Sequence, residues 1–211
     1  MTRGKFIAFE GGEGAGKSTQ AHLLADALAA RGITCVITRE PGGTPGAEAI
    51  RNLLLGTAGE GWHPRAEALL FAAARSDHVE RLIVPALEAG QWVICDRFVD
   101  SSRAYQGGAG GLGDADVMAL HRVGSQGLLP DLTLLVEVSP ETATARATAR
   151  DGDAADRIGG RDAAYHARVA QAFGALADAE PARFARISGD PDANAVHREI
   201  MAALAPLLGA A

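Results

Sequence analysis

The sequence predicts an α/β fold in three layers, a five-stranded and mostly parallel sheet held between two sets of helices. Apolar runs of strand length alternate with helical patterns along the 211 residues. A glycine-rich turn lies between the first strand-like run and the first helix-like run. The chain is 47% hydrophobic and 22% charged, enough for one substantial core, so a single domain is expected over residues 1–211. Alternation of this kind builds parallel strands joined by right-handed crossovers, with ligands beyond the carboxyl ends of the strands.

The elements follow in order. Lys5–Glu10 is a short apolar strand. Ser18–Arg31 carries Leu23, Leu24, Ala27 and Leu28 at helical spacing, and Gly32 stops it. Ile33–Thr38 is a β-branched second strand, and Arg39–Pro45 is too rich in glycine and proline to be regular. Two helices are expected at Gly46–Leu55 and Pro64–Ala89, the second ended by Gly90. Trp92–Cys95 is the third strand and leads into Asp96-Arg97. A helix then runs to a flexible loop at Gly107–Gly111, and Asp114 caps the next helix. Leu132–Val138 is the fourth strand. Ser139 and Pro140 open a helix as N-cap and first residue, reaching about Arg150. The charged stretch Asp151–Arg161 is expected to be a flap, and the lid as a whole spans about residues 146–161. A helix at Asp162–Glu180, a fifth strand at Phe184–Ser188 and a helix at Ala193–Leu208 complete the chain.

Gly11-Gly12-Glu13-Gly14-Ala15-Gly16-Lys17-Ser18 fits GxxxxGK[ST], with an apolar strand before it and a helix after. Glycines let the backbone curl so that its N–H groups and the helix N-terminus face a polyphosphate. Lys17 then reaches the β and γ oxygens, and the Ser18 hydroxyl binds Mg²⁺. Asp96, closing an apolar strand, suits the second Mg²⁺ ligand of such a site. The expected fold is thus that of a P-loop NTPase using Mg-ATP.

Several classes are excluded or disfavoured. The formal charge of −6 argues against a nucleic-acid polymer as partner. No apolar stretch approaches the roughly 18 residues of a membrane span, and Met1–Lys5 runs straight into a strand, so a cytoplasmic protein is expected. Cys35 and Cys95 lie far apart in apolar runs with no metal spacing. A GTPase should carry NKxD, and neither Asn52 nor Asn194 precedes a lysine. What remains is a small-molecule kinase, which needs arginines to grip an anionic acceptor. Eighteen arginines against two lysines supply candidates, among them Arg39, Arg51, Arg75, Arg97, Arg146, Arg150, Arg157 and Arg161. Arg97, beside Asp96, is the foremost.

Longer blocks resemble the bacterial thymidylate kinase family over nearly the whole chain. They are Phe9–Gln20, Thr38–Pro45, Leu69–Arg75, Asp96–Gly107 and Pro130–Thr133, the third and fourth being specific to that family rather than generic to P-loops. The resemblance implies transfer of the ATP γ-phosphoryl group to dTMP, with Mg²⁺ as cofactor and a homodimer as the assembly. The residues leave open a kinase for another monophosphate, such as dUMP or dCMP, and a nucleotide-binding regulatory module without turnover.

Position by position, the resemblance implies that residues Gly11–Thr19 hold ATP, with Arg146 stacked on adenine. Phe71 stacks on thymine and Arg75 hydrogen-bonds its edge, although Phe71 would equally suit a buried helix face. Arg97 holds the acceptor phosphate, with Glu40, Pro41 and Arg51 beside it. Tyr105 lies under the sugar where it would crowd a 2′-hydroxyl, and Ser102 and Gln106 of the same signature line the acceptor pocket. Glu13 stands near the 3′-hydroxyl. Some members carry a catalytic arginine within the P-loop where this chain has Gly14, so Arg150 or Arg157 of the flap should supply that charge. The family's usual acidic continuation after Asp-Arg is replaced here by Ile158-Gly159-Gly160-Arg161, and Tyr165-His166 stands where Phe-His is common.

Overall fold

The computed structural model describes residues 2–56, 61–151 and 160–209, with the side chains of 144 and 147–151 outside that description. Five strands, β1 (Phe6–Glu10), β2 (Cys35–Arg39), β3 (Trp92–Asp96), β4 (Leu132–Glu137) and β5 (Phe184–Ser188), form one sheet in the order β2-β3-β1-β4-β5. Every pairing is parallel. β1 is central, and all five of its residues are buried because helices cover both faces.

Side-chain alternation along β1 divides the core. Ile7 and Phe9 face α1 (Lys17–Ala29) and α9 (Ala193–Leu208), meeting Leu24, Leu28, Ile200 and Leu204. Phe6 and Ala8 face the other layer, with Ile83, Leu87, Phe98 and Val99. A third cluster joins Tyr105 and Leu135 to Tyr165, Val169 and Phe173 of α8 (Ala163–Ala179). The remaining helices are α2 (Pro45–Gly56), α3 (Pro64–His78), α4 (Val84–Glu88), α5 (Val99–Ser102), α6 (Asp114–Ser125) and α7 (Pro140–Asp151). No described helix is long and apolar enough to cross a membrane.

Three local expectations are corrected. The helix expected without interruption over Pro64–Ala89 passes through a π-helical stretch, Val79–Ile83, before α4. Pro85 lacks an N–H and would crowd the carbonyl four residues back, and the wider turn ahead of it relieves both conflicts. The glycines expected as a flexible loop are helical up to Ala109, in a π-helical segment Arg103–Ala109. A β-carbon on Gly108 would stand 2.7 Å from that of Ala172 in α8, and one on Gly107 would stand 3.4 Å from Val117 of α6. These glycines serve close packing, not mobility. The N-cap of α6 is Gly113 rather than Asp114, whose carboxylate instead accepts from Arg103 Nε at 2.7 Å.

Candidate active site

The loop between β1 and α1 owes its path to glycines with left-handed backbone. Gly11 (φ 131°) lies so close to β4 that any side chain would run into the Val136 carbonyl. Gly14 (φ 70°) faces α7, where a β-carbon would stand 2.8 Å from the Ala143 carbonyl oxygen. An arginine at position 14 has no room in this chain without displacing α7. Lys17, in the first turn of α1, donates through Nζ to the carbonyls of Gly12 (2.7 Å) and Gly11 (3.2 Å), which hold it across the loop. Ala15 is buried, while Ser18 and Thr19 are exposed on the same turn. Arg146 of α7 donates to the Gly189 carbonyl at 2.9 Å and borders Gly14 and Gly16.

Burial, and then the Arg97 guanidinium, push the Lys17 ammonium down to about 8, against the pull of Asp96, Glu13 and Glu10. Polyphosphate binding should restore its proton. In the free protein the charge is present below pH 8 and lost above it, so ATP affinity should fall as pH rises. Titration at pH 9 should give a Kd about tenfold weaker than at pH 7, with proton uptake on binding. A flat profile between those values would remove Lys17 from the phosphate site.

Across the loop, Ser18 Oγ donates to Asp96 Oδ2 at 2.6 Å. With its proton committed there, the Ser18 oxygen presents lone pairs outward beside a carboxylate. Such hard oxygen donors suit Mg²⁺, which usually keeps waters and takes its remaining ligands from phosphates. Asp96 and Ser18 therefore fit the metal that the sequence implies.

Arg97 follows Asp96 in left-handed backbone (φ 69°), uncommon for a residue with a side chain. Its guanidinium donates to Glu13 Oε1 (2.6 Å), to the Gly11 carbonyl (3.0 Å) and to Ser101 Oγ (3.1 Å), and lies 5.2 Å from the centre of the Tyr105 ring. Burial works against its charge, but Tyr105, Glu13, Asp96 and Glu10 more than offset this and hold its proton more tightly than usual. The Tyr105 hydroxyl is buried, and the Arg97 guanidinium is the charged group beside the ring. Burial raises its pKa above the ordinary phenol value.

A second polar group adjoins the first through Phe98. Arg75 of α3 stacks 5.3 Å from the Phe98 ring and donates to Glu40 Oε2 (2.7 Å), Ser102 Oγ (2.8 Å) and the Phe98 carbonyl (3.3 Å). Glu40 also bonds His78 Nδ1 at 3.0 Å, and His78 Nε2 meets Thr38 Oγ1 at 2.8 Å. Burial would raise the Glu40 pKa, but Arg75 and His78 outweigh it and keep the carboxyl below its usual range. The Glu40–Pro41 peptide is cis, and Arg51 Nη1 donates to the Pro41 carbonyl at 2.7 Å. Phe71, one turn before Arg75, is half-buried and belongs to none of the three core clusters. Gln106 turns toward α3, donating to Glu67 Oε1 at 3.0 Å, while Arg161 Nη2 donates to the other oxygen of Glu67 at 2.8 Å.

Lys17, Ser18, Glu13, Asp96, Arg97 and Tyr105 are thus brought together at the P-loop and the ends of β1 and β3, and Arg75, Glu40 and Ser102 join them through Phe98. Arg157 and the Arg150 side chain lie outside the described residues, as do residues 152–159 of the expected lid. Sequence reasoning passed over Glu10, His78, Ser101 and Glu67. Glu10 carried one usable signal, a carboxylate closing a strand whose other residues are all apolar; the others acquire meaning only from distant partners.

A phosphate-gripping loop facing an acidic strand end, with arginines converging from a second direction, defines a P-loop phosphotransferase. A family model described as thymidylate kinase matches residues 9–200. A thymidylate kinase of Rhizorhabdus wittichii is 56% identical over 97% of this chain and 99% of its own length, and one of Nitrobacter winogradskyi is 49% identical over 96% and 88%. The crystal structure of thymidylate kinase from Ehrlichia chaffeensis superimposes with a TM-score of 0.77 at 32% identity, covering 96% of this chain and all of that one. The chain belongs to the thymidylate kinase family.

Proposed function

We propose that the protein transfers the γ-phosphoryl group of ATP to the 5′-phosphate of dTMP, giving ADP and dTDP. The observation that carries the reading is the placing of Arg97, whose guanidinium touches the P-loop at Gly11 and Glu13 and covers Tyr105. One cation thereby spans the donor and acceptor sides. An acceptor phosphate oxygen, already anionic at neutral pH, attacks the γ-phosphorus in line as the bond to the β-bridging oxygen breaks and its electrons leave with ADP. No strong general base is required, and catalysis comes from positioning and charge.

Lys17 and the P-loop amides hold the donor phosphates, and Arg146 lies where adenine would reach past the loop. Ser18 and Asp96 would hold Mg²⁺, which would supply charge neutralisation to the donor phosphates. Arg75 presents its guanidinium in a fixed plane, set by Glu40 and Ser102, toward the thymine edge. Phe71 offers a ring that core packing does not claim. Tyr105 bars a 2′-hydroxyl, Glu13 meets the 3′-hydroxyl, and Pro41, Arg51 and Gln106 shape the surround. Residues 146–161 act as the lid, with Arg150 or Arg157 supplying positive charge to the phosphoryl group in flight. Two copies associate through the helices between β3 and β4, where Val123 of α6 is 88% exposed. Both cysteines are free thiols, which suits the reducing cytoplasm.

ADP release should be measured with Mg-ATP against dTMP, dUMP, UMP, dCMP, AMP and GMP. A strong preference for dTMP over both dUMP and UMP is expected. Activity on another monophosphate would keep the P-loop chemistry but overturn the roles of Phe71, Arg75 and Tyr105.

A further inference from the structure

Arg97 adopts a strained backbone at the centre of the site, so something must hold it there. Left-handed φ is disfavoured for a residue with a β-carbon and persists only where the surroundings hold it. The following residue, Phe98, is extended (φ −149°, ψ −148°), and α5 begins directly after it. The sharp turn aims the amides of Phe98 and Ser101 at the end of β1, the Ser101 amide also reaching the Phe98 carbonyl at 3.2 Å.

Glu10 satisfies them. It ends β1 with no solvent exposure at all, and its Oε1 accepts from the backbone N–H groups of Phe98 (2.8 Å) and Ser101 (3.0 Å). Its Oε2 accepts from the Ser101 hydroxyl at 2.6 Å. The same hydroxyl oxygen lies 3.1 Å from Arg97 Nη1. These two contacts constrain each other. A guanidinium can only donate, so Ser101 must offer Arg97 a lone pair, and its single proton must then point elsewhere. An ionised carboxylate can only accept, and Glu10 Oε2 is where that proton goes.

We propose that Glu10 is a positioning residue for phosphoryl transfer, fixing the direction of the Ser101 hydroxyl so that its oxygen faces Arg97 and the guanidinium is held toward the acceptor phosphate. The proposal rests on the reading of Arg97 as the acceptor-phosphate ligand. It also accounts for a carboxylate buried without a direct ion pair. Burial, and then the like charge of Asp100, push the Glu10 carboxyl up to about 7 against the Ser101 hydroxyl, the Arg97 charge and the Phe98 amide, so the hydroxyl is directed by geometry that is complete once Glu10 is ionised.

Glu10→Gln separates this role from simple capping. The glutamine oxygen still accepts from both amides, so the turn keeps its cap. The glutamine nitrogen donates where Oε2 accepted, and the Ser101 proton is displaced toward Arg97. We expect kcat/KM for dTMP to fall about 10- to 100-fold, the scale of one hydrogen bond to a charged group. KM for ATP should change less than about threefold. Ser101→Ala should show the same split, Ser101→Thr should restore most of the loss, and Glu10→Gln with Ser101→Ala should be no worse than Ser101→Ala alone.

Loss of both substrates in parallel, or multiplication of the two single losses in the double variant, would overturn the proposal. If Glu10→Gln does not fold, the contrast between Ser101→Ala and Ser101→Thr decides, and equal activity of those two overturns it. The thymidylate reading fails separately: wild-type protein would then prefer another monophosphate, and the same comparison is made with that acceptor.

Discussion

Replacing Arg97 by alanine should lower kcat/KM for dTMP by about 10²- to 10³-fold, the range seen when one preorganised donor to a developing charge is removed. Three fixed contacts already aim the guanidinium, so little reorganisation is needed when the phosphate arrives. The backbone strain is unchanged, because alanine also has a β-carbon at φ 69°. ATP binding should move by less than about threefold, since Lys17 keeps its own contacts with Gly11 and Gly12. Arg97→Lys retains charge but not the fork that reaches Glu13 and Gly11 together, so it should recover only part of the loss. Steady-state kinetics in dTMP, with ATP affinity measured by direct titration, separates the two sites. An equal fall in ATP affinity would place Arg97 in the donor site instead.

The second large effect concerns stability. Asp100 is fully buried, and its oxygens accept from Arg183 Nη1 (2.6 Å) and Nη2 (2.9 Å), Arg103 Nη1 (3.0 Å) and Thr133 Oγ1 (3.2 Å). Burial works to raise its pKa, but Arg183 and Arg103 prevail and hold it below the ordinary aspartate value. It therefore ties α5 to β4 and to the residue preceding β5. Removing one partner of a buried ionic group costs about 3–5 kcal/mol, because the charge left behind stays buried. Asp100→Ala should lower the urea midpoint by that equivalent with an unchanged slope. Glu180 and Asp114 also pair with Arg103, which places the expectation toward the lower end of the range. The sign with pH follows from the depressed pKa. The contribution is present above the unfolded-state value near 4 and is lost as pH falls through the folded-state value. A loss below about 1 kcal/mol would mean that Arg183 finds solvent when its partner goes.

The P-loop was legible because its physics is local. Glycines at fixed spacing, a strand before and a helix after are all set within a dozen residues. The sheet was legible for a similar reason, as apolar runs buried on both faces announce central parallel strands. Phe71 was not decidable in this way. The segment Leu69-Leu70-Phe71 reads as a core face, yet Leu69 is 55% exposed and Phe71 half-buried, since α3 turns a different side inward. The stretch Gly107–Gly111 misled because glycine serves loops and close packing alike, and only the approach of α8, some sixty residues on, distinguishes them. The Glu40–His78–Thr38 chain and the Glu10–Ser101–Arg97 chain join residues distant in sequence, so neither left a local pattern to read.

The π-helical segment Arg103–Ala109 makes the acceptor site depend on a count of residues as well as on their identity. Each position in an ordinary helix advances by about 100° around the axis, and a π turn holds one residue more. Within it, Arg103 reaches Asp100 and Asp114 while Tyr105 lies beneath Arg97 and Gln106 meets Glu67. Deleting a single glycine downstream of these side chains would leave every one of them present. It would also restore the tighter pitch and swing the segment out of phase with α6 and α8. Length variation here is thus as consequential as a change to any of the residues it carries, and the pocket is written partly in spacing.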